Sequence, residues 1–327
     1  MKLYLHVGPH KTGTTLIQKT MLDNQGLLLQ QGVFYPKNFV TIFGHHDFRN
    51  KIQDEAITDE DVLFLEHTEK NVLLSSEDFI SLNEKNFRYL KQRLSNFDIE
   101  IIYSWRRGNK KMFSIWQEYV KHGGQDTFFE YHFPHLARPA TSAMLSPDIK
   151  LQSFARVFGK NKVKIIDYDA AAEADNLLEL FFSIIQVSDT KEFKIPLQDE
   201  NASNKSLKYY ESELLRALNT FFAVNKEISG SQVRIAFNEH RAKLDPDIIN
   251  NLFELIKNDI IEVNADKYFI DQRSEKVMSD KFVGCIANYQ ENKLINSFTL
   301  SSQKWLLRSD AQMKIKQLAE ELCEYLS

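Results

Sequence analysis

Apolar runs and amphipathic stretches alternate along the first half of the chain. The short runs rich in Leu, Ile and Val have the length of buried strands, and the longer stretches between them carry apolar residues at helical spacing. We predict strands at 2–7, 33–35, 71–75, 99–104 and 162–166, and helices at 14–31, 84–95, 109–122, 147–158 and 176–186. Strands that alternate with helices indicate an α/β fold with a central parallel sheet flanked by helices.

The pattern becomes helical near residue 206. Further helices are predicted at 206–223, 246–263 and 310–325. We therefore expect an α/β core over residues 1–205 and a largely helical lobe over residues 206–327, packed on the core as one continuous unit.

The turn between the first predicted strand and the first predicted helix carries the clearest chemistry. Gly8 and Gly13 enclose Lys11, and hydroxyl groups follow at Thr14 and Thr15. A strand, a turn and a helix in this order can hold a phosphate, because backbone N–H groups and the positive end of the helix dipole face the anion. In the nucleotide-triphosphate loop G-x-x-x-x-G-K-[ST], the lysine follows the second glycine. Here Thr14 has that position, so we expect Lys11 to lie beside the bound phosphate and neutralise a bridging or leaving oxygen.

Residues 8–15, Gly-Pro-His-Lys-Thr-Gly-Thr-Thr, resemble the 5′-phosphosulfate loop of sulfotransferases that use 3′-phosphoadenylyl sulfate (PAPS), especially those of the bacterial branch. The resemblance implies a P-loop NTPase-like sulfotransferase fold, with PAPS as the sulfuryl donor and adenosine 3′,5′-bisphosphate as a product. It implies that the donor is bound by the loop residues His10, Lys11, Thr12, Gly13, Thr14 and Thr15.

A second segment resembles the same family. An apolar predicted strand is followed by Arg106 and Arg107, and the next predicted helix carries Ser114. Members of the family hold the 3′-phosphate of PAPS with a strand-end arginine and a serine eight residues later, which matches Arg106 and Ser114. Arginine offers a planar fork of donors with a permanent charge, and a helical serine adds a neutral donor. We expect Arg107, Lys110 and Lys111 to be exposed positive charges.

Sulfuryl transfer to a hydroxyl or amine needs a general base within hydrogen-bond reach of the acceptor. Glu77 follows a predicted strand end, near the place of a catalytic histidine in cytosolic members of the family; alternatively it caps a helix after Ser76. His45 and His46 lie near the place of a glutamate base in some polysaccharide sulfotransferases; alternatively they are solvent-facing loop residues. The catalytic candidates are therefore Lys11, Glu77 and His46, with His45 as a competitor.

The expected partner is a small-molecule or glycan acceptor, with a carbohydrate preferred. Residues 123–146 lack a regular period and are rich in His, Phe and Pro, so we predict a loop there. This loop either lies over the acceptor site or packs its aromatic residues on the core.

Composition limits the other classes of function. The net charge of −4 does not favour a nucleic-acid or membrane-surface protein, and Cys285 and Cys323 are expected to be ordinary thiols. We expect no metal site, no membrane insertion, no removable leader and a cytoplasmic location. Two alternatives remain open: a P-loop kinase that uses ATP and Mg²⁺ on a small molecule, and a non-catalytic nucleotide-binding module.

Overall fold

The computed structural model describes residues 1–196, 207–228, 230–264, 270–290 and 297–326. These residues form two units that alternate along the chain. The first unit contains the described residues 1–108, 146–196 and 271–290. The second unit contains the described residues 109–145, 207–228, 230–264, 270 and 297–326. The single boundary predicted between residues 205 and 206 falls outside the described residues and stays a prediction.

The strands and helices are as follows. The strands are β1 Lys2–His6, β2 Val33–Phe34, β3 Asn71–Ser75, β4 Asp98–Trp105, β5 Val163–Asp167, β6 Ile260–Asn264 and β7 Ser297–Ser301. The α-helices are α1 Thr14–Asp23, α2 Gln25–Gln30, α3 His46–Gln53, α4 Asp59–Glu66, α5 Glu84–Arg93, α6 Gly108–Lys121, α7 Phe128–Ala137, α8 Asp148–Phe158, α9 Tyr168–Glu173, α10 Leu177–Ile184, α11 Tyr209–Lys226, α12 Gln232–His240, α13 Pro246–Lys257, α14 Ile270–Phe282 and α15 Ser309–Cys323.

The first unit is built on a five-stranded parallel sheet with the order β2-β3-β1-β4-β5. Both faces of this sheet are covered. Leu3 and Leu5 of β1 pack in one core with α3, α4, α5, α8 and α14. Tyr4, which lies between them and points to the opposite face, packs in a second core with α1, α2 and α10. The predicted α/β fold with a central parallel sheet flanked by helices is confirmed.

The strand order places a topological switch point at the end of β1. This strand pairs with β3 on one side and with β4 on the other, and β2 lies beyond β3. The chain connections therefore diverge around the carboxyl end of β1. In open parallel sheets, ligands bind at such a switch point.

The predicted helix over residues 14–31 is interrupted at Asn24. The Asn24 side-chain amide donates to the carbonyl oxygens of Thr20 (2.7 Å) and Lys194 (2.8 Å). Its carbonyl oxygen accepts from the backbone N–H of Lys194 (2.8 Å). These bonds tie the chain to a distant segment, and they lie where α1 ends and α2 begins.

The second unit is largely helical, with α11, α13 and α15 around a common core. It also contains a two-stranded antiparallel sheet that the sequence does not predict. The predicted helix 246–263 is wrong beyond Lys257, because residues 260–264 pair with β7 as the antiparallel strand β6. Two features favour this change. Ile260, Ile261 and Val263 are β-branched. In addition, the Asp259 carboxylate accepts from Ser302 Oγ (2.5 Å) and binds the chain beyond β7.

The predicted loop over residues 123–146 is also wrong, because it contains α7. Thr127 and Glu130 form a capping box at the start of this helix. Phe129 and Phe133 are 59% and 54% exposed, so aromatic residues occupy the solvent-facing side as well as the buried side. An apolar stripe therefore does not stand out in the sequence. The predicted helices 206–223 and 310–325 correspond to α11 and α15, and Ser206 itself lies outside the described residues.

Candidate active site

The loop between β1 and α1 is fixed against the end of β4. Val7 donates its backbone N–H to the Ile102 carbonyl (3.0 Å), and Ser104 donates to the Gly8 carbonyl (2.7 Å). Within the loop, Gly8, Lys11 and Gly13 have left-handed φ angles of 73°, 64° and 76°. Turns with left-handed residues ahead of a helix form N–H concavities that bind anions.

Two observations at the start of α1 suit an anion. The first helical turn follows Gly13, contains no acidic side chain and has no side-chain hydrogen bond at its N-cap. The exposed Thr15 and the buried Thr14 are its first two residues, whereas the Thr12 hydroxyl donates to the Pro9 carbonyl (2.5 Å). The Thr12 side chain therefore stabilises the loop itself, and the first turn of α1 has neither an acidic residue nor a side-chain cap of its own.

The two glycines of the loop are required by close packing as well as by their φ angles. A Cβ on Gly8 would lie 3.0 Å from the backbone Cα of Glu77, and a Cβ on Gly13 would lie 2.4 Å from Leu177 Cδ2. Gly8 therefore lets the loop lie directly against the strand end that carries Glu77, and Gly13 lets it lie against α10.

Arg106 lies beside this loop. Its Nη1 donates to the Lys11 carbonyl oxygen (2.7 Å), and its guanidinium lies over the Tyr168 ring, 5.5 Å from the centroid. Its Nε is buried and has no hydrogen-bond partner among the described residues. Ser114, the predicted companion of Arg106, lies half-buried on α6 in the second unit, so their joint contact with one phosphate stays a prediction.

Glu77 lies at the end of β3 and is held by hydrogen bonding. Gln18 Nε2 donates to Glu77 Oε2 (2.6 Å), and the Glu77 side chain is 17% exposed. His10 of the loop lies between two carboxylates: its Nδ1 is 4.0 Å from Glu77 Oε1, and its Nε2 is 3.2 Å from Asp78 Oδ1. The structure therefore brings Glu77 to the same edge of the sheet as the loop.

His46 reaches the same cluster from the start of α3. Its Nδ1 lies 2.9 Å from Asp78 Oδ2 and 2.9 Å from Ser76 Oγ, and its side chain is 21% exposed. Asp78, which contacts His46, directly follows Glu77 in the chain. The two candidate bases Glu77 and His46 are therefore linked through Asp78. Both side chains are partly accessible to solvent.

His45 has a structural role instead. Its side chain is fully buried, its Nδ1 accepts from the Ser75 backbone N–H (2.9 Å), and its Nε2 donates to the Pro36 carbonyl (2.9 Å). Burial lowers the pKa of His45 to about 4. Because both ring nitrogens are occupied, His45 is not available as a general base.

The buried histidines at this edge make stability depend on pH. Burial lowers the pKa of His45 to about 4 and that of His6 to about 3, whereas the unfolded chain takes up these protons near pH 6.5. Their contribution to the free energy of unfolding is therefore fully present above pH 6.5. It is lost as the pH falls towards the pKa values of the folded state. We expect the free energy of unfolding to fall by about 2 kcal/mol per histidine between pH 6.5 and pH 5.

Urea unfolding of the wild type and of His45→Gln across this pH range measures that loss. The variant should show a pH slope smaller by about one proton. A slope equal to that of the wild type would contradict the prediction.

The prediction that Arg107 is exposed is wrong. Arg107 is fully buried, its Nη1 donates to Asp167 Oδ1, and its Nε donates to Glu275 Oε2 (3.1 Å). Its backbone N–H donates to Asp169 Oδ2 (2.8 Å), and the guanidinium lies 3.9 Å from the centroid of the Trp105 ring. Consecutive arginines therefore have different surroundings: Arg106 lies beside the loop, and Arg107 is enclosed by carboxylates.

The prediction for the two lysines that follow is wrong in one case. Lys111 is buried, with 4% exposure, whereas Lys110 is half-buried.

Two residues of the site were not singled out from the sequence: Gln18 and Asp78. Asp78 directly follows Glu77, and Gln18 is one helical turn after Thr14, so both are close in sequence to predicted residues. Their positions alone could have suggested them.

The fold and this edge of the sheet define an α/β protein with a glycine-bounded loop ahead of α1, beside a cluster of histidines and carboxylates. No protein-family profile and no curated protein sequence matches the chain. The fold is similar to the crystal structure of a sulfotransferase from Alicyclobacillus acidocaldarius. The structural alignment covers 68% of this chain and 92% of the sulfotransferase chain, with a TM-score of 0.38 and 14% sequence identity. A similarity this low indicates neither activity nor substrate. No helix of the described residues is long and apolar enough to cross a membrane.

Proposed function

We propose that this protein transfers a sulfuryl group from PAPS to a hydroxyl or amine of a small-molecule or carbohydrate acceptor. The observation that carries the proposal is the left-handed Lys11 in the loop ahead of α1, with Arg106 hydrogen-bonded to its carbonyl oxygen. Two cationic residues, Lys11 and Arg106, thus lie at the same end of the sheet as the candidate bases Glu77 and His46.

The residues of the loop fit an anionic donor. The first turn of α1 has no acidic residue and no side-chain cap, and the buried Nε of Arg106 has no partner among the described residues. An oxyanion would satisfy both. We assign His10, Lys11, Gly13, Thr14 and Thr15 to the 5′-phosphosulfate end of the donor, with Thr12 holding the shape of the loop.

The chain supplies two further functions for the reaction. Charge develops on the leaving phosphate oxygen as its bond to sulfur breaks, and the Lys11 ammonium stabilises that charge. Arg106, with Ser114, binds the 3′-phosphate, and this contact sets the position of the donor along the site. None of these donor-binding roles uses the cluster of His46, Glu77 and Asp78. We assign this cluster to the acceptor.

Calorimetric titration with adenosine 3′,5′-bisphosphate tests the proposal. We expect saturable binding in the presence of EDTA, and binding at least tenfold weaker for Arg106→Gln, because a charged hydrogen bond to phosphate contributes about 1.5–3 kcal/mol. The matched control is Arg88→Gln, since Arg88 is a surface arginine paired with Glu84 on α5.

Transfer of ³⁵S from labelled PAPS to a panel of phenols, alcohols and amino sugars then identifies the acceptor. Binding of ATP only with Mg²⁺, and no binding of the bisphosphate, would favour a kinase and overturn the proposal. Binding of the bisphosphate without transfer to any acceptor would favour the non-catalytic module.

A further inference from the structure

A cavity of about 230 Å³ lies inside the second unit, between α7 and the two-stranded sheet β6–β7. All of its lining residues belong to this unit, and none belongs to the loop ahead of α1 or to the cluster around Glu77. An engineered cavity of about 150 Å³ lined by Leu, Ile and Phe binds one benzene ring. The cavity of the second unit is therefore large enough for about two fused rings.

One wall of the cavity is a face of the sheet. Ile261 and Val263 of β6 line it, and so do Leu300 and Phe298, their partners in register on β7. Successive side chains of a strand point to opposite faces, so these two cross-strand pairs share one face. Glu262, which lies between the first two, is exposed. The sheet thus presents an apolar face to the cavity.

The opposite wall is one face of α7. Phe128, His132 and Leu136 line the cavity and follow one another at intervals of four residues, which places them on the same side of the helix. The ring centroids of Phe128 and Phe298 are 5.4 Å apart, so the two walls meet there. Phe129 also lines the cavity and is 59% exposed, so the cavity opens to solvent beside it.

His132 supplies a polar group to this apolar surface. The residue is buried, and its Nε2 has no hydrogen-bond partner among the described residues. Burial lowers the pKa of His132 to about 4, so the ring is neutral at pH 7. A neutral imidazole has one donor and one acceptor nitrogen, and a hydroxyl group can pair with either. Because a buried polar atom without a partner costs free energy, a hydroxyl at this place in the wall is favoured.

The carboxylate in the cavity wall already has its partners. Glu213 is buried, and its Oε2 accepts from Arg216 Nε (3.0 Å) and from Gln303 Nε2 (2.9 Å). Arg216 also donates to Gln303 Oε1. A charged ligand would therefore lose its hydration in the cavity without gaining a counter-ion. The wall favours a neutral molecule.

We propose that this cavity binds a neutral aromatic molecule of about two fused rings that carries one hydroxyl group. The rings lie between α7 and the apolar face of β6–β7, where aromatic side chains offer edge and face contacts. The hydroxyl forms a hydrogen bond with His132 Nε2. The proposal does not depend on sulfuryl transfer, because it uses no residue of the candidate active site.

Equilibrium dialysis at pH 7 with 2-naphthol and with 2-naphthoate tests the class of ligand. The two molecules share a ring system, but the phenol is neutral at this pH and the carboxylate is charged. We expect saturable one-to-one binding of 2-naphthol with a Kd below about 1 mM. Binding of 2-naphthoate should be at least tenfold weaker. Equal affinities, or no saturable binding of 2-naphthol, would overturn the proposal.

Methyl NMR of protein labelled at Ile, Leu and Val locates the bound 2-naphthol. We expect shifts of the methyl signals of Ile261, Val263 and Leu300. The signal of Ile260 should shift much less, because this neighbour points to the opposite face of β6. Shifts confined to residues outside the cavity would overturn the proposal.

Filling the opening of the cavity tests the same site by substitution. Ile261 is 44% exposed, so Ile261→Trp adds volume without disturbing the closed end of the cavity. We expect this variant to bind 2-naphthol at least tenfold more weakly. Ile260→Trp is the matched control, because Ile260 is 46% exposed and does not line the cavity. Equal affinities of the two variants would overturn the proposal.

His132→Phe tests the hydrogen bond. The variant keeps an aromatic ring and should bind 2-naphthol about 3–10-fold more weakly, the effect of losing one neutral hydrogen bond. Its melting temperature should equal or exceed that of the wild type, because the change removes a buried nitrogen without a partner. His135→Phe, on the same helix but outside the cavity, is the control. An unchanged affinity in a folded His132→Phe would overturn the proposal.

Discussion

Replacing Lys11 by alanine is expected to lower kcat for sulfuryl transfer by about 10²–10³-fold, equivalent to about 2.7–4 kcal/mol of transition-state stabilisation. Lys11 belongs to the loop that we propose binds the donor, and in that proposal its ammonium offsets the negative charge that grows on the leaving oxygen as the reaction proceeds. The affinity for adenosine 3′,5′-bisphosphate should fall less than kcat, because the loop N–H groups and Arg106 remain. Steady-state kinetics and calorimetry on the same variant measure the two effects.

The conformation of Lys11 needs its own control. A left-handed φ of 64° costs a residue other than glycine about 1–2 kcal/mol, and alanine keeps this cost. Lys11→Gly relieves the strain and also removes the charge. If the charge is what matters, the glycine variant should be as slow as the alanine variant. Recovery of activity in Lys11→Gly would contradict the assigned role.

A surface lysine shows what loss of an unrelated positive charge does. Lys85, which pairs with Glu55, has a side chain that is 80% exposed. Lys85→Ala should keep wild-type kcat. Activity of Lys11→Ala within threefold of the Lys85 variant would remove Lys11 from the catalytic residues.

Replacing Arg107 by methionine is expected to lower the free energy of unfolding by about 3–5 kcal/mol. The substitution keeps much of the side-chain volume but leaves Asp167, Asp169 and Glu275 without their shared cation. Breaking a buried ion pair in this way leaves uncompensated charges in a medium that solvates them poorly. Urea unfolding at pH 7 measures the loss.

The expected loss depends on pH. Burial raises the pKa of Glu275 above its ordinary value, even though Arg107 opposes the shift. The folded state therefore holds this proton more tightly than the unfolded state, and Glu275 destabilises the fold as the pH rises through its folded-state pKa. Without Arg107 that pKa rises further, so the difference between variant and wild type should shrink at acidic pH.

The control for Arg107 is a surface arginine. Arg88 pairs with Glu84 across one helical turn, and its side chain is 61% exposed. Arg88→Met should cost no more than about 1 kcal/mol. Equal losses for the two variants would mean that the carboxylates around Arg107 find other partners.

The sheet was predictable because its strands are buried on both faces. The central residues of these runs, such as 72–74 and 101–103, are apolar throughout, and the helices between the runs carry regular stripes. The helices α3 and α4 were not predicted, because they have only eight residues each and the side chains of α3 are mostly polar. The antiparallel pair β6–β7 joins segments that are more than thirty residues apart, so a local sequence pattern cannot predict it.

The site was predictable where chemistry is local. The loop places its glycines, its lysine and its hydroxyls within eight positions, and the sequence analysis found Arg106 by its spacing from Ser114. The partners of Arg107 come from residues 167, 169 and 275, so sequence proximity to Arg106 suggested the wrong surroundings for it. His45 and His46 differ in the same way. They are neighbours in sequence, but only the fold shows that one is enclosed and the other faces the cluster.

The first unit consists of separate stretches of the chain, and this affects how it folds while the ribosome synthesises the protein. A ribosome completes all five strands of the parallel sheet by residue 167, but Glu275 and the apolar residues Met278 and Phe282 of the same core follow roughly a hundred residues later. At about 5–20 residues per second, this gap lasts on the order of ten seconds. Throughout that interval the nascent sheet lacks one of the anions around Arg107 and part of its apolar cover. Such a chain is a natural client for a chaperone, and a product that ends before residue 275 should not complete this unit.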